Sequence, residues 1–193
     1  MALNRYDFYK IQGNQKNKEK VQLYRFKNDF KDIYIVEIFQ YDFSVYAVKF
    51  YIKNHRYSKN RYNICYKKEF KIGLGFQTGN ANFIKVLNTI LSIVVEILRK
   101  DGLASFGFMG APKESESNPE INSANINPDC TVANTKRYRI YHLYIRKYFN
   151  PIDFEYIDSS TSSILLLRNN KNKEALTKEV AENYIVDTII PNL

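Results

Sequence analysis

Ile84-Lys85-Val86-Leu87-Asn88-Thr89-Ile90-Leu91-Ser92-Ile93-Val94-Val95-Glu96-Ile97-Leu98 is the stretch on which the fold turns. Ile84, Leu87, Leu91, Val94 and Leu98 recur at the spacing of one helical face, and Val86, Ile90, Val95 and Ile97 widen that face. An apolar surface this broad predicts a central helix packed across a sheet. Thr78 or Asn80 is the expected N-cap, Arg99 and Lys100 suit the negative C-terminal end, and Gly102 follows as a terminator. The apolar run 83–98 is too short to span a bilayer and is interrupted by Lys85, Asn88, Ser92 and Glu96.

Upstream of this helix the chain reads as strands. Residues 21–27, 32–41, 45–53, 61–67 and 70–76 are β-branched or aromatic and are separated by Asn, Asp and Ser turns. In 45–53, Tyr46, Val48, Phe50 and Ile52 fall on one face and Lys49 and Lys53 on the other, the pattern of a half-buried antiparallel strand. Downstream, 103–109 reads as a strand, 135–149 as a helix, 153–158 and 162–168 as a hairpin, and 174–190 as a terminal helix ended by Pro191. Between them, 111–134 carries Pro112, Pro119 and Pro128 in a run of Ser, Asn and Glu, and reads as a mobile insertion loop. The expected fold is a single α+β domain over 1–193. Its antiparallel meander sheet is packed by the central apolar helix, a basic helix and a C-terminal helix.

Length and composition narrow the classes. At 193 residues, with 45% hydrophobic and 25% charged residues, the chain can bury a core without staples and is not of disordered composition. Two cysteines cannot build a disulfide framework, so Cys65 and Cys130 are expected as free thiols in a reducing cytoplasm. The first ten residues carry no apolar signal-peptide core, and a cytoplasmic location is expected. Abundant Asn, Lys, Ile and Tyr share AT-rich codons, which accounts for much of the aromatic bias. The charge of +9 points to polyanionic partners.

Few constellations carry chemistry. His55, His142, Cys65 and Cys130 lack zinc-module spacing, so no metal or other cofactor is expected. Gly73, Gly75 and Gly79 lack both the dinucleotide fingerprint and a Walker lysine and read as a bend leading into the helix, with a phosphate contact on the backbone N–H groups of Gly79, Asn80 and Ala81 as the alternative. Glu69-Phe70-Lys71, with Asp42 and Glu37 on earlier strands, is the pattern a Mg²⁺-dependent nuclease uses: carboxylates hold the ion and a lysine steadies the attacking water. Such an E-x-K also arises freely on a solvated strand of a Lys-rich chain, and the nuclease stands as the alternative.

Two basic-aromatic stretches are the strongest signals. From Asn134 to Phe149 the chain holds Lys136, Arg137, Arg139, Arg146 and Lys147 and no acid. Arg139, His142 and Arg146 share one helical stripe, while Tyr138, Tyr141, Tyr144, Ile145 and Tyr148 take the opposite, core-facing arc. From Lys49 to Lys68, Lys53, His55, Arg56, Lys59, Arg61, Lys67 and Lys68 alternate with Tyr51, Tyr57, Tyr62 and Tyr66. The interleaved arginines and tyrosines of this second stretch can clamp phosphates and stack on unpaired bases, and tyrosines turned inward with lysines outward in a hairpin would spell the same letters. The stripe of the first stretch suits a polyanion or an acidic protein surface, and a solvated helix face would carry the same residues. The expected binding residues are Arg56, Lys59, Arg61, Lys136, Arg137, Arg139, His142, Arg146 and Lys147.

Lys49-Phe50-Tyr51, Tyr62-Asn63, Gly79-Asn80, Lys85-Val86-Leu87-x-Thr89 and Arg137-Tyr138-Arg139-x-Tyr141 lie within 46–148. On these motifs the segment resembles a domain family of unknown function found in Bacteroidetes and their mobile elements. The resemblance implies a strand-rich half before a helix that begins in a Gly-Asn or Asn-Gly turn. Here the turn lacks the usual acidic residue, Asn82 standing near its place, and 111–134 departs from the pattern. No reaction or catalytic residue is implied. In class the chain is similar to phage-type anti-CRISPR proteins. The function expected is therefore a non-enzymatic basic inhibitor that engages a CRISPR effector nuclease, its guide RNA complex, or nucleic acid directly, and no membrane. A toxin–antitoxin component acting through protein contacts is a further alternative.

Overall fold

A computed structural model of the chain describes residues 3–11, 20–62 and 77–189. Among these residues there are seven strands: β1 (Phe8–Ile11), β2 (Lys20–Lys27), β3 (Ile33–Gln40), β4 (Val45–Ile52), β5 (Ser105–Met109), β6 (Phe154–Ser159) and β7 (Ile164–Asn169). The helices are α1 (Gln77–Lys100), α2 (Pro119–Asn122), α3 (Lys136–Tyr148) and α4 (Lys178–Tyr184). The strands form one sheet in the order β1-β2-β3-β4-β5-β7-β6, so the fold is α+β with a largely antiparallel, meander-like sheet. One pair breaks the antiparallel pattern: β4 and β5 run parallel, Val45 opposite Ser105 and Ala47 opposite Gly107. Parallel neighbours need a crossover, and α1 lies in the chain between them. No helix among the described residues is long and apolar enough to cross a membrane. The expected strands at 61–67 and 70–76 fall almost wholly outside the described residues.

The chain divides into two units. The first comprises Met1–Phe39 and Lys49–Lys100. There β1 pairs antiparallel with β2, Phe8 opposite Phe26 and Ile11 opposite Leu23. The ring of Tyr6 stacks on Phe26 at 5.8 Å, and Phe26 stacks on Tyr34 at 4.9 Å. Val86, Leu87, Ile90, Leu91, Ile93, Val94 and Ile97 bury one broad side of α1, as its periodicity demands. Among the described residues of α1, three polar side chains are buried with them, and all three hold the N-terminal segment: Tyr6 N–H donates to Thr89 Oγ1 (2.9 Å) and Asn88 Nδ2 to the Asn4 carbonyl (2.7 Å). The third, Asn82, accepts from the Tyr6 hydroxyl. Two details differ from expectation. The helix opens at Gln77, so Thr78 and Asn80 lie inside its first turn rather than before it. Ile84, assigned to the apolar stripe, is exposed.

The second unit comprises Gln40–Val48 and Asp101–Leu193. Its β5 pairs antiparallel with β7, and β7 with β6. Every residue of β7 is buried, because the strand has a neighbour on each edge and cover on both faces. Val45, Ile157, Ile164, Leu166, Leu176, Ala181 and Ile185 form a core cluster on which Tyr41 and Tyr184 pack. Tyr46 stacks on Phe106 at 5.8 Å. The half-buried reading of β4 fails here: Val45, Tyr46, Ala47 and Val48 are all buried. Odd and even positions alike are buried over 45–48, and only Lys49 and Phe50 of the strand are half-buried. The terminal helix is shorter than expected, since Thr177 caps α4 by accepting from Val180 N–H, and a π-turn at Ile185–Ile189 follows. Residues 111–134 contain α2, a 3-10 turn at Ser123–Asn125 and a bridge between Ile126 and Val132.

Candidate nucleic-acid interface

Helix α3 is held at its start by a network of buried hydroxyls. The Thr135 side chain accepts from Tyr138 N–H (3.2 Å) as N-cap and donates to the Gly110 carbonyl (2.6 Å). Thr135 N–H donates to Ser163 Oγ (2.8 Å), which donates to the Val132 carbonyl (2.7 Å). Asn134 N–H reaches the Ser160 carbonyl at 2.8 Å, so the β6–β7 hairpin loop fixes the helix start. Gly110 is required by close approach: a Cβ there would collide with Tyr138 N and Cβ and with Thr135 Oγ1.

The packed side of α3 carries Arg137, Tyr138 and Ile145, all buried. Tyr138 Oη donates to Asp158 Oδ2 (3.1 Å), and burial together with that carboxylate pushes its phenol up to about 12. His142 Nε2 lies 3.6 Å from the same oxygen. His142 is therefore at the inner flank of the stripe, facing Asp158. Arg137 Nη1 donates to the Ala111 carbonyl (3.1 Å), which places this arginine inside the fold and not on the solvent side. Tyr148, assigned to the core arc, is 36% exposed.

The outer side of α3 presents Lys136, Arg139, Arg146 and Lys147, all exposed. Leu143, 71% exposed, shares this face by helical geometry. Arg139 Nη1 donates to the Asn134 carbonyl, and the Arg146 guanidinium lies 5.4 Å from the Tyr156 ring centroid. None of the four bases forms an ion pair among the described residues. Carboxylates do meet the helix elsewhere: Asp158 at its flank, and Glu116, whose Oε1 accepts from Lys136 N–H (2.8 Å) at the positive helix end.

The other basic stretch is arranged differently. Arg61 Nη2 lies 2.7 Å from Tyr62 Oη and 3.6 Å from Glu37 Oε2, and its guanidinium sits 5.0 and 4.7 Å from the Tyr51 and Tyr62 rings. Glu37 accepts from both phenols, Tyr51 at 3.2 Å and Tyr62 at 2.6 Å. Burial, then Glu37, raises Tyr51 to about 12 and Tyr62 further. Arg61 is thus committed internally, whereas Arg56 and Lys59 are exposed.

Of the alternative nuclease set, Glu69 and Lys71 lie outside the described residues. Asp42 is exposed in a 3-10 turn between β3 and β4, its N–H donating to Tyr184 Oη at 3.2 Å. Among the described residues no group of three or more His, Cys, Asp or Glu side chains is placed to hold a metal ion. Cys130 is exposed, and Cys65 lies outside the described residues. The sequence reading did not single out Leu143, although the helical wheel that gathers the bases also contains it. Searches against protein-family models, curated proteins and solved structures give no significant match to this chain.

Proposed function

We propose that the chain is a non-enzymatic binding protein whose α3 face engages nucleic acid, either free or as the RNA of a ribonucleoprotein. The observation that carries this reading is the outer face of α3, where four exposed bases stand without an ion pair among the described residues. Cations left uncompensated on one rigid face attract a polyanion, and each phosphate met there releases a counterion. The cap network supports the reading, because it fixes the helix axis and so the spacing of the charges. The specific form we propose for the partner is a CRISPR effector bound to its guide RNA, which makes the chain a counter-defence inhibitor.

The test reverses charge on the outer face. Arg139→Glu combined with Arg146→Glu should weaken binding of a labelled RNA at least tenfold and flatten its salt dependence. The melting temperature should hold, since surface substitutions typically stay within about 0.5 kcal/mol. Unchanged affinity in the folded double variant overturns the proposal. So does Mg²⁺-dependent, EDTA-sensitive cleavage of RNA or DNA by the purified chain, which would install the nuclease in its place. For the counter-defence form, wild-type protein should inhibit target cleavage by a guide-loaded CRISPR nuclease, and the double variant should not.

A further inference from the structure

The turn after β4 sorts its aromatic residues in a way the sequence does not. It opens with a 3-10 turn at Lys53–His55 and continues through three successive backbone bonds, Arg56 to Lys53 (3.1 Å), Ser58 to His55 (3.0 Å) and Arg61 to Ser58 (3.2 Å). Asn60 N–H adds a bond to Ser58 Oγ (3.3 Å). At its base, Arg61 Nη1 donates to the Arg56 carbonyl (3.4 Å) while Nη2 joins the Glu37–Tyr62 cluster. The loop is therefore closed on itself and pinned to the β3 strand through Glu37. Tyr51 and Tyr62 are spent on that pin.

Tyr57 is not. It stands at the tip, 93% exposed, with the Arg56 guanidinium 5.7 Å from its ring centroid. Lys53, Arg56 and Lys59 of the same turn are exposed, and residues 53–62 contain no acid. A lone exposed aromatic is ordinary on a protein surface. An aromatic raised on a hydrogen-bonded turn, with one guanidinium beside its ring, two further exposed bases in the same turn and no carboxylate in the loop, has the composition of a stacking platform for single strands. A duplex hides its base faces, so the ring has nothing to stack on there; an unpaired strand offers both a base face and flanking phosphates.

We infer that the 53–62 turn is a single-stranded nucleic-acid contact, in which Tyr57 stacks on an unpaired base while Lys53, Arg56 and Lys59 meet the adjacent phosphates. The inference shares with the α3 reading only that the partner is a nucleic acid, and different residues carry it. Stacking on an aromatic ring is indifferent to the sugar, so RNA and DNA strands both qualify.

The experiment uses the full chain with a short single-stranded oligonucleotide containing 2-aminopurine and a blunt duplex of the same length. Tyr57→Ala should weaken single-strand binding about tenfold and abolish the 2-aminopurine fluorescence change, while duplex affinity stays within about twofold. Tyr57→Phe keeps the ring and should restore both signals. Single-strand affinity unchanged in Tyr57→Ala overturns the inference, as does Tyr57→Phe failing as badly as Tyr57→Ala. Wild-type protein that binds neither oligonucleotide overturns it as well. The two readings separate in the same assay. If Tyr57→Ala weakens binding and the Arg139→Glu, Arg146→Glu variant does not, the turn stands and the α3 face falls; the reverse result keeps α3 and removes the turn.

Discussion

The two basic-aromatic stretches differ in what their arginines do. In α3 the helix separates the chemistries by angle: Tyr138 and Ile145 pack inward with Arg137, while Arg139 and Arg146 point outward. In the turn at 53–62 the separation runs along the chain instead. Arg61 and Tyr62 at the base are locked to Glu37, and Arg56 and Tyr57 at the tip are exposed. A count of charges treats Arg61 and Arg139 alike, yet one compensates a half-buried carboxylate and the other faces solvent. What distinguishes them is the presence of an acid across the strand. Glu37 sits on β3, fourteen residues from Tyr51 and twenty-five from Tyr62 along the chain, and only sheet pairing brings it near.

The largest expected effect breaks the α3 side of this comparison. Gly110→Ala would drive a Cβ into the Tyr138 backbone, and to within 2.6 Å of Thr135 Oγ1. A rigid backbone neighbour cannot turn aside as a flexible side chain can, so α3 must shift and the Thr135 to Gly110 bond must open. Overpacking of this kind costs about 1–3 kcal/mol or more, and the melting temperature should fall by several degrees. Binding that depends on the α3 face should weaken with it. Normal stability in Gly110→Ala would show that the helix start is not fixed as described.

Much of this architecture is legible in sequence, for identifiable reasons. The period of Leu87, Leu91 and Val94 reports a helix whatever it packs against, and the hairpin at β6–β7 announces itself by strand residues around Ser159, Ser160 and Thr161. β1 was not legible, because a four-residue edge strand with Tyr9 exposed needs no alternation. β4 reads as half-solvated because of Lys49, whose ammonium instead lies 4.7 Å from the Phe39 ring and 5.7 Å from that of Tyr62. Of the binding residues, Arg139 and Arg146 face outward as the wheel requires. Arg137 reads as equally basic but goes inward, because its carbonyl partner at Ala111 comes from a segment twenty-six residues away.

An alkaline titration sharpens the comparison at intermediate cost. Tyr51 and Tyr138 have phenols raised from 10 to about 12, each by burial first and by a neighbouring carboxylate second. Between pH 10 and 12 the unfolded chain loses protons that the folded chain keeps, so stability falls as pH rises through that window. Below pH 10 these two groups contribute no pH dependence. Thermal melts across the window should show the decline, and phenolate absorbance should lag behind that of the denatured chain. Glu37→Gln removes the charge beside Tyr51 and should bring its titration earlier, leaving Tyr138 with Asp158 unchanged. Equal movement of both phenols would mean the two clusters are not independent.

The smallest effect on stability is expected at Leu143, and it discriminates between partners. This side chain is 71% exposed among Lys136, Arg139, Arg146 and Lys147, so Leu143→Ala removes almost no packing and should alter stability by less than about 0.5 kcal/mol. On a polyanion the surrounding charges dominate, and a leucine has no phosphate to meet; affinity for RNA should change by about twofold or less. On a protein partner the same leucine would be the apolar centre of a basic rim, the position where interface energy concentrates, and its truncation should weaken binding tenfold or more. Measured beside Arg139→Glu with Arg146→Glu, the ratio of the two losses is therefore informative in itself. A large loss from charge reversal with a negligible one from Leu143→Ala fits a nucleic acid on α3. Comparable losses from both would place a protein surface there, and would leave Tyr57 as the chain's nucleic-acid contact to be judged on its own assay.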